Sequence, residues 1–272
     1  MARNGWTNNA NNSARYCSMK IIFWNIKRNK DVAHVVKLVD SVAPDLLFLA
    51  ECSPEIVGAT QTQYGMISPA IFGNPKVHGF VVSGKVECSL RREYNERLFF
   101  YQLAWQGKEF LLGTVHLLSK NYTSALAQSL AAEEYVRMVR IQEEIEKHKN
   151  TILIGDFNMN PFDSGMVSVA IFNAVCSPEI ALKQSRKFQR KDYFFNPAWK
   201  NYAGVGNAVY GTYYHHSCGM DGVHWNNFDQ VLIRPSILQQ YKPKFSVLYD
   251  LGFDLRNKNN GVSDHYPILL EL

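Results

Sequence analysis

The sequence contains few cysteines, and their spacing matches neither a metal site nor a disulfide framework. The five lie far apart in the chain: Cys17, Cys52, Cys88, Cys176 and Cys218. No C-x-x-C pair or Cys/His ligand spacing occurs, which excludes the usual zinc motifs and the disulfide-rich secreted domains. We therefore predict that the thiols are reduced and that the protein is cytoplasmic.

Long hydrophobic runs are also missing. The longest, over residues 46–50, has the length of a strand and falls far short of a membrane span. Residues 1–18 are rich in Asn, Ser and Arg and lack the apolar segment of a signal peptide. We expect a disordered extension over 1–18, a single domain over 19–272 and no membrane anchor.

Charge of one sign is in only slight excess. The chain has 29 Lys and Arg residues against 24 Asp and Glu, a formal net charge of +5. With 46% hydrophobic and 19% charged residues, the composition excludes a disordered, collagen-like or coiled-coil chain. The small positive excess permits a polyanionic partner without requiring one.

Hydrophobic periodicity predicts strands and helices mixed along the whole chain. Strands are expected over 20–26, 45–50, 78–84, 99–105, 109–115, 151–155, 229–233, 244–249 and 266–271. Helices are expected over 31–42 and 123–148, with a short one after Pro161. The pair Gln106-Gly107 predicts a hairpin turn. Because no composition break divides the chain, these elements indicate one layered α/β domain.

Polar residues suited to metal or phosphate stand at or beside the ends of six predicted strands. They are Asn25, Glu51, His116, Asp156 with Asn158, Asp229, and Asp264 with His265. Strand ends are where a sheet presents functional groups to a shared crevice. Carboxylates and amides without cysteine favour a hard cation such as Mg²⁺ or Mn²⁺, and histidines beside them suit phosphate binding or water positioning. Each residue alone also suits a turn, a cap or an ion pair, so the hypothesis depends on their order.

In this order the strand-end motifs resemble the endonuclease/exonuclease/phosphatase superfamily over residues 20–272. The motifs are W-N-I at 24–26, L-A-E at 49–51, T-V-H-L at 114–117, G-D-F-N at 155–158, F-D-Q-V at 228–231 and S-D-H at 263–265. The resemblance implies a DNase-like four-layer α/β sandwich, with two central β-sheets flanked by helices. It also implies a metal-dependent phosphoester hydrolase.

The resemblance gives the carboxylates and amides distinct roles. Asn25, Glu51 and Asp264 match residues that face the metal, with Asn25 also suited to a phosphate. Asp156 and Asn158 match the pair that orients the attacking water and contacts the phosphate.

The resemblance also gives roles to two histidines and an aspartate. His265 matches a general base or phosphate ligand, and His116 matches the histidine that acts on the scissile phosphate in the pancreatic-DNase and sphingomyelinase branches. Asp229 matches the aspartate that orients a catalytic histidine. Which histidine it serves differs between branches and stays open at this point.

One position departs from part of the superfamily. Two residues after Asn25, abasic-site endonucleases place Asp or Asn, whereas this chain has Lys27 followed by Arg28. A lysine does not bind Mg²⁺ but can contact a substrate phosphate, as a basic residue at this place does in pancreatic-DNase relatives. The departure disfavours an abasic-site endonuclease and leaves the number of metals open. Solvent exposure of both side chains is the alternative.

The segment 183–228 is rich in basic and aromatic residues. Bases stack on aromatic rings and phosphates attract Lys and Arg, so the segment could line a nucleic-acid path, with the basic run 183–191 nearest the backbone. Packing of the aromatic side chains onto the domain is the alternative. Its F-N-P-A-W and G-T-Y-Y stretches resemble uncharacterised bacterial members of the superfamily, which indicates a bacterial origin.

Together these patterns predict a nuclease that hydrolyses phosphodiester bonds of DNA or RNA with Mg²⁺ or Mn²⁺. The first alternative is a phosphatase or phospholipase-type phosphodiesterase acting on lipid headgroups or small phosphates. A nucleic-acid-binding module without activity is the second, and the complete set of polar residues argues against it. The sequence leaves open DNA against RNA, endonuclease against exonuclease, and the oligomeric state.

Overall fold

The computed structural model describes residues 18–27, 29, 31–67, 75–119, 124–183, 192–203, 209–217 and 222–272. Nearly all of the expected extension over 1–18, Arg28, and the basic run 183–191 apart from Lys183 lie outside these residues. Within the described part of the chain, no helix is both long and apolar enough to cross a membrane.

Strands and helices alternate along the described chain. The strands are β1 (Lys20–Asn25), β2 (Leu46–Ala50), β3 (Gly65–Met66), β4 (Val77–Val81), β5 (Glu87–Asn95), β6 (Leu98–Trp105), β7 (Lys108–His116), β8 (Thr151–Asp156), β9 (Ala174–Val175), β10 (Phe194–Phe195), β11 (Tyr213–Tyr214), β12 (Trp225–Asn226), β13 (Asp229–Ile233), β14 (Lys244–Val247) and β15 (Ile268–Glu271). The helices are α1 (Ala33–Val42), α2 (Pro54–Gln61), α3 (Ala125–Glu146), α4 (Ser164–Val167), α5 (Pro178–Leu182) and α6 (Pro235–Leu238), with a 3₁₀ helix over Pro197–Tyr202.

The strands form two large sheets and a small ribbon. The first sheet has the order β14-β15-β1-β2-β4-β3, and the second has the order β5-β6-β7-β8-β13-β10-β9. β1 pairs with β2 in parallel, and β7 pairs with β8 in parallel. Strands β11 and β12 form a separate two-stranded ribbon, and Tyr213 of β11 also bridges to His265. Each parallel pair therefore carries its two carboxyl ends to the same edge of its sheet.

Three apolar layers hold the sheets and helices together. Residues such as Phe48 in the first sheet and Tyr101 in the second pack between the sheets, their rings 5.3 Å apart. Helix α1 covers the outer face of the first sheet with Val35, Leu38 and Val39, which lie on one helical face by their i, i+3, i+4 spacing. Helix α3 covers the outer face of the second sheet. The four-layer α/β sandwich expected from the motifs is confirmed.

The hairpin between β6 and β7 forms as its sequence predicts. Gln106 and Gly107 have φ angles of 50° and 72°, and Trp105 pairs with Lys108 across a two-residue loop. Two positive φ angles give the loop the twist that joins right-handed antiparallel strands. The hairpin fixes the register of β7, which carries His116 at its end.

Several elements differ from the sequence prediction. Helix α1 begins at Ala33 rather than residue 31, and α3 spans Ala125–Glu146 rather than 123–148. Strand β5 was not predicted: it lies at the edge of its sheet, has mostly exposed or half-exposed residues and contains two register shifts. Such an edge strand lacks the apolar alternation by which strands are identified.

Candidate active site

The candidate active site lies where the ends of strands from both sheets meet. Asn25 ends β1, and Glu51 directly follows β2 in the first sheet. His116 and Asp156 end β7 and β8 and pair with each other in register in the second sheet. Asp229 begins β13, which runs antiparallel to β8, and pairs with Asp156. Because β13 is antiparallel, its first residue reaches the edge where β8 ends.

Asn25 links carboxylates from the two sheets. Its Nδ2 donates to Glu51 Oε1 and to Asp156 Oδ2, each at 3.1 Å. His116 Nε2 lies 3.4 Å from the same Glu51 oxygen and 3.9 Å from Asp156 Oδ2. An amide, an imidazole and two carboxylates therefore meet in one partly buried cluster.

A second buried cluster contains His265. Its Nδ1 lies 2.8 Å from Asp229 Oδ2, and both side chains are almost fully buried. The ring is also fixed through the backbone, because Trp24 Nε1 donates to the His265 carbonyl at 3.0 Å. Asp229 thus contacts His265 in this fold, which answers the question that the sequence left open. Ligand atoms of Asp156, Asp229 and His265 all lie within 4.8 Å of one another.

The backbone around Asp156 adopts conformations that bring the strand ends close together. Gly155 has φ 153°, and a Cβ at this position would lie 2.0 Å from the Val115 carbonyl oxygen. Asn158 has φ 51°, and its N–H donates to Asp156 Oδ1 at 2.8 Å while its Nδ2 donates to the Leu117 carbonyl at 2.9 Å. Because only glycine fits at position 155, β7 and β8 can approach closely there. The hydrogen bonds of Asn158 then hold the side chains of Asp156 and Asn158 in place.

Lys27 and Asp264 complete the open side of the site. Lys27 Nζ lies 3.9 Å from Glu51 Oε2 and 3.8 Å from Asp264 Oδ2, and the two carboxylate side chains are 28% and 27% exposed. Asp264 Oδ1 is buried and has no hydrogen-bond partner among the described residues. Glu51 and Asp264 thus lie on the same ammonium group, and the Asn25 amide contacts Glu51. Two carboxylates, one of them with an orphaned oxygen, and an amide are a donor set that fits a hard divalent cation. Arg28 lies outside the described residues.

Burial and neighbouring charges shift three pKa values in opposite directions. Burial opposes ionisation of Glu51, but the hydrogen bond and charge of His116, the Lys27 ammonium and the Asn25 amide outweigh it and hold its pKa at about 2. Burial also disfavours the charged form of His265, yet the Asp229 carboxylate raises its pKa to about 10. Burial and the Asp229 charge raise the pKa of Asp156. The site therefore favours the ionised form of Glu51 and the protonated form of His265, and its Asp156 carboxylate is more basic than that of an exposed aspartate.

Thr212 and Tyr213 support the Asp229–His265 pair but received no role from the sequence. Thr212 Oγ1 accepts from the Asp229 N–H at 3.1 Å, and its carbonyl accepts from the Tyr266 N–H at 2.8 Å. The Tyr213 ring lies 4.9 Å from the His265 ring. The G-T-Y-Y stretch was the available signal, although nothing local to it indicates contact with residues 229 and 265.

The chain has the fold of the endonuclease/exonuclease/phosphatase superfamily. The structure of D. rerio TDP2 complexed with single strand DNA product matches with a TM-score of 0.56 and 18% identity, covering 93% of this chain and 98% of that one. An endonuclease/exonuclease/phosphatase family protein from Bacteroides thetaiotaomicron matches with a TM-score of 0.55 and 14% identity, covering 94% and 97%.

The third similar structure is the 3′ phosphatase NExo from Neisseria bound to a product DNA hairpin. It matches with a TM-score of 0.51 and 18% identity, covering 93% of this chain and 99% of that one. No protein-family model matches the sequence, and no curated protein matches it. The fold that the six motifs imply is therefore confirmed.

Proposed function

We propose that this protein is a divalent-metal-dependent phosphodiesterase, and that its substrate is DNA or RNA. The proposal rests on seven side chains that lie together at one edge of the sandwich. They come from strand ends of both sheets and from the segment before β15: Asn25, Glu51, His116, Asp156, Asp229, Asp264 and His265. Metal-ligating oxygens, a general base and imidazoles are what phosphodiester hydrolysis requires. Two of the similar structures contain product DNA, which supports a nucleic-acid substrate.

Glu51, Asp264 and Asn25 would hold the cation. A bound Mg²⁺ or Mn²⁺ neutralises charge on a phosphate oxygen. Glu51 suits this role because its low pKa of about 2 keeps it ionised at neutral pH. Lys27, beside both carboxylates, would contact a phosphate of the substrate.

Asp156 and Asn158 would orient the attacking water. The pKa of Asp156 is raised by burial and by Asp229, which makes its carboxylate a stronger proton acceptor than an exposed aspartate. The Asn158 N–H donates to Asp156 Oδ1 at 2.8 Å. Oδ2, on the side of Asn25 and His116, would accept the proton of the water.

His265 and His116 would stabilise charge on the phosphate. Asp229 holds His265 in its protonated form, with a pKa of about 10, which favours the role of phosphate ligand over that of general base. His116 faces the same space, since its Nε2 lies 3.4 Å from Glu51. Two donors aimed at one phosphate are the usual means of stabilising its transition state.

The test is hydrolysis by purified protein in Mg²⁺, Mn²⁺ or EDTA. The substrates are plasmid DNA, labelled single-stranded DNA and RNA, and bis-p-nitrophenyl phosphate. We expect metal-dependent cleavage that falls about 10²–10⁴-fold in Asp156→Ala and His265→Ala. The controls are Asp40→Ala, near the end of α1 that leads into β2, and His148→Ala, in the segment that leads into β8; both lie away from the strand ends that form the site and should keep full activity.

The substrate panel separates the proposal from its alternatives. Cleavage of a nucleic acid identifies the polymer. Cleavage of the small diester alone would retain the site and exclude a nuclease, in favour of lipid headgroups or small phosphates. If nothing is cleaved and the site variants equal the wild type, the hydrolase proposal is wrong and a binding module is the better account.

A further inference from the structure

A cavity of about 380 Å³ opens directly beside the candidate active site. It begins at Lys27 and Asp264 and continues between two walls. One is the segment 213–216, named here the tyrosine–histidine wall, and the other is the segment 255–262, named the asparagine loop. Pockets for small ligands begin at about 300 Å³, so the cavity suits a ligand of nucleotide size.

The tyrosine–histidine wall presents aromatic rings that are held in place. Tyr214 stacks on His224 at 5.6 Å and 17°, and meets Trp225 edge-on at 5.0 Å. The adjacent Tyr213 packs against His265 at 4.9 Å. A flat group bound against this wall would therefore lie next to the residues proposed to bind the phosphate. Because contacts between the rings already hold them in place, binding would cost little additional side-chain entropy.

The asparagine loop is tied to the same residues. Asn260 Oδ1 accepts from the N–H groups of Val262 and Ser263 at 2.8 and 3.1 Å. Ser263 Oγ in turn accepts from the His265 N–H at 3.0 Å and donates to the Asn25 carbonyl at 2.8 Å. Both walls are thus fixed relative to the site, as a specific binding pocket requires.

The charged residues that line the cavity favour some flat ligands over others. The described lining residues of the cavity include Lys27 and Lys258, and the one carboxylate among them is Asp264, which belongs to the candidate active site. A quaternary ammonium such as choline prefers an aromatic surface without competing cations, so the two lysines disfavour a lipid headgroup. The lysines favour a neutral ring attached to an anionic group. Asn257 and Asn259 also line the cavity and can form hydrogen bonds with polar atoms at the edge of such a ring.

We propose that the cavity binds one nucleobase of the substrate, the base next to the scissile phosphate, with Tyr214 as its stacking surface. This inference rests on the proposed function. A base bound in the cavity is unpaired and lies outside the nucleic-acid duplex. The enzyme would therefore prefer single strands, ends or loops to an intact duplex.

The test uses fluorescence of 2-aminopurine placed at successive positions of a single-stranded oligonucleotide. The Asp156→Asn variant with Mg²⁺ prevents cleavage, and anisotropy of an end label measures binding. We expect quenching at one position only. Adding Tyr214→Ala should remove that quenching and weaken binding about 5- to 150-fold, the range for loss of one base–aromatic stack, whereas Tyr214→Phe should retain both.

Two further measurements do not depend on how Tyr214→Ala folds. An abasic nucleotide at the quenched position should reproduce the loss with unaltered tyrosine. Lys258→Glu, on the other wall, should weaken binding without touching the ring cluster. Tyr249→Ala changes a tyrosine that is 52% exposed and outside the cavity lining, and should match the parent protein.

The possible failures are distinguishable. If no oligonucleotide binds, the proposed function itself is wrong. If oligonucleotides bind but no position differs between the parent and Tyr214→Ala, only the assignment of the cavity is wrong. Displacement by phosphocholine and not by a nucleoside monophosphate would assign the cavity to a lipid headgroup and overturn the inference.

Discussion

The contact between Asp229 and His265 decides the protonation of the site. The carboxylate is buried and lies 2.8 Å from the imidazole, so water cannot screen their attraction. Burial alone would lower the pKa of the imidazole, but the charge of the Asp229 carboxylate and its hydrogen bond outweigh desolvation and raise the pKa to about 10. A histidine in this state donates hydrogen bonds from both nitrogens.

Asp229→Asn should lower the pKa of His265. In metal-free wild-type protein the imidazole should stay protonated until about pH 10, whereas in the variant burial opposes the charged form and only the Asp156 and Asp264 charges still favour it, so the pKa should fall well below 10. NMR titration of the imidazole carbons measures this directly. Asp40→Asn, near the end of α1, is the control, and an unchanged His265 titration in Asp229→Asn would contradict the assignment.

The same pair predicts the sign of a stability change with pH. The folded pKa of His265 is raised from 6.5 to about 10, so the imidazolium stabilises the fold fully below about pH 6.5. That contribution is lost as the pH rises towards 10. The free energy of unfolding of Asp229→Asn, measured by chemical denaturation at a series of pH values, should lack this decline between about pH 6.5 and pH 10.

Lys27 places a positive charge where a cation would bind. Its ammonium lies 3.9 and 3.8 Å from Glu51 and Asp264, and at 41% exposure of the side chain water screens the interaction strongly. Lys27→Met should therefore raise Mn²⁺ affinity about three- to tenfold, corresponding to roughly 1 kcal/mol between charges in water. It should also slow turnover.

Calorimetric titration with Mn²⁺ measures the affinity of Lys27→Met. Lys37→Met removes an exposed lysine on α1 and should leave the affinity unchanged. Weaker Mn²⁺ binding in Lys27→Met would show that the lysine supports the metal site instead of competing with it.

At the scale of single residues, much of the site could be predicted from the sequence. Asn25, Glu51 and Asp156 stand at strand ends, where local hydrophobic runs reveal them. The partner of Asp229 could not be predicted, because 36 residues separate it from His265 and only the sheet brings them together. Thr212 was missed for the same reason.

At the scale of elements, α3 is joined to the second sheet by a buried ion pair. Arg234, just after β13, donates to both oxygens of Glu143 at 2.7 and 2.9 Å. The side chains are 2% and 0% exposed, and the guanidinium also lies 3.9 Å above the Phe194 ring. The pair fixes the helix behind β8 and β13, which carry Asp156 and Asp229.

Glu143→Gln should lower the free energy of unfolding by about 3–5 kcal/mol, because it leaves a buried guanidinium without its counter-charge. Urea denaturation measures the loss. The matched control is Glu134→Gln on the same helix, which breaks the exposed pair with Arg137 and should change stability little. A small effect of Glu143→Gln would mean that water reaches Arg234.

The elements differ in how far their sequences reveal them. The Gln106-Gly107 turn and the apolar strands β2 and β8 are encoded locally, by turn chemistry and by continuous burial. Strand β5 carries charged residues at an edge and bends at its register shifts. Its position depends on pairing with β6, which no local pattern shows.

At the scale of the whole molecule, the sandwich assembles the site from two halves. The first sheet supplies Asn25 and Glu51, and the second supplies His116, Asp156 and Asp229. The motifs predicted the sandwich through their resemblance to a known superfamily, since hydrophobic periodicity indicates layers but not their order. The cavity beside the site could not be foreseen, because it is formed by segments 213–216 and 255–262 that meet only after folding.

The division of the site between sheets has a consequence during synthesis of the chain. β1 pairs with β15, and His265 reaches Asp229 through the segment that leads into β15, so the polar cluster stays incomplete until those late residues are in place. A ribosome-bound intermediate with both parallel strand pairs formed would still lack Asp264 and His265. The proposed hydrolytic activity would thus appear only after residues 264 and 265 have been synthesised and have folded against the strands that precede them.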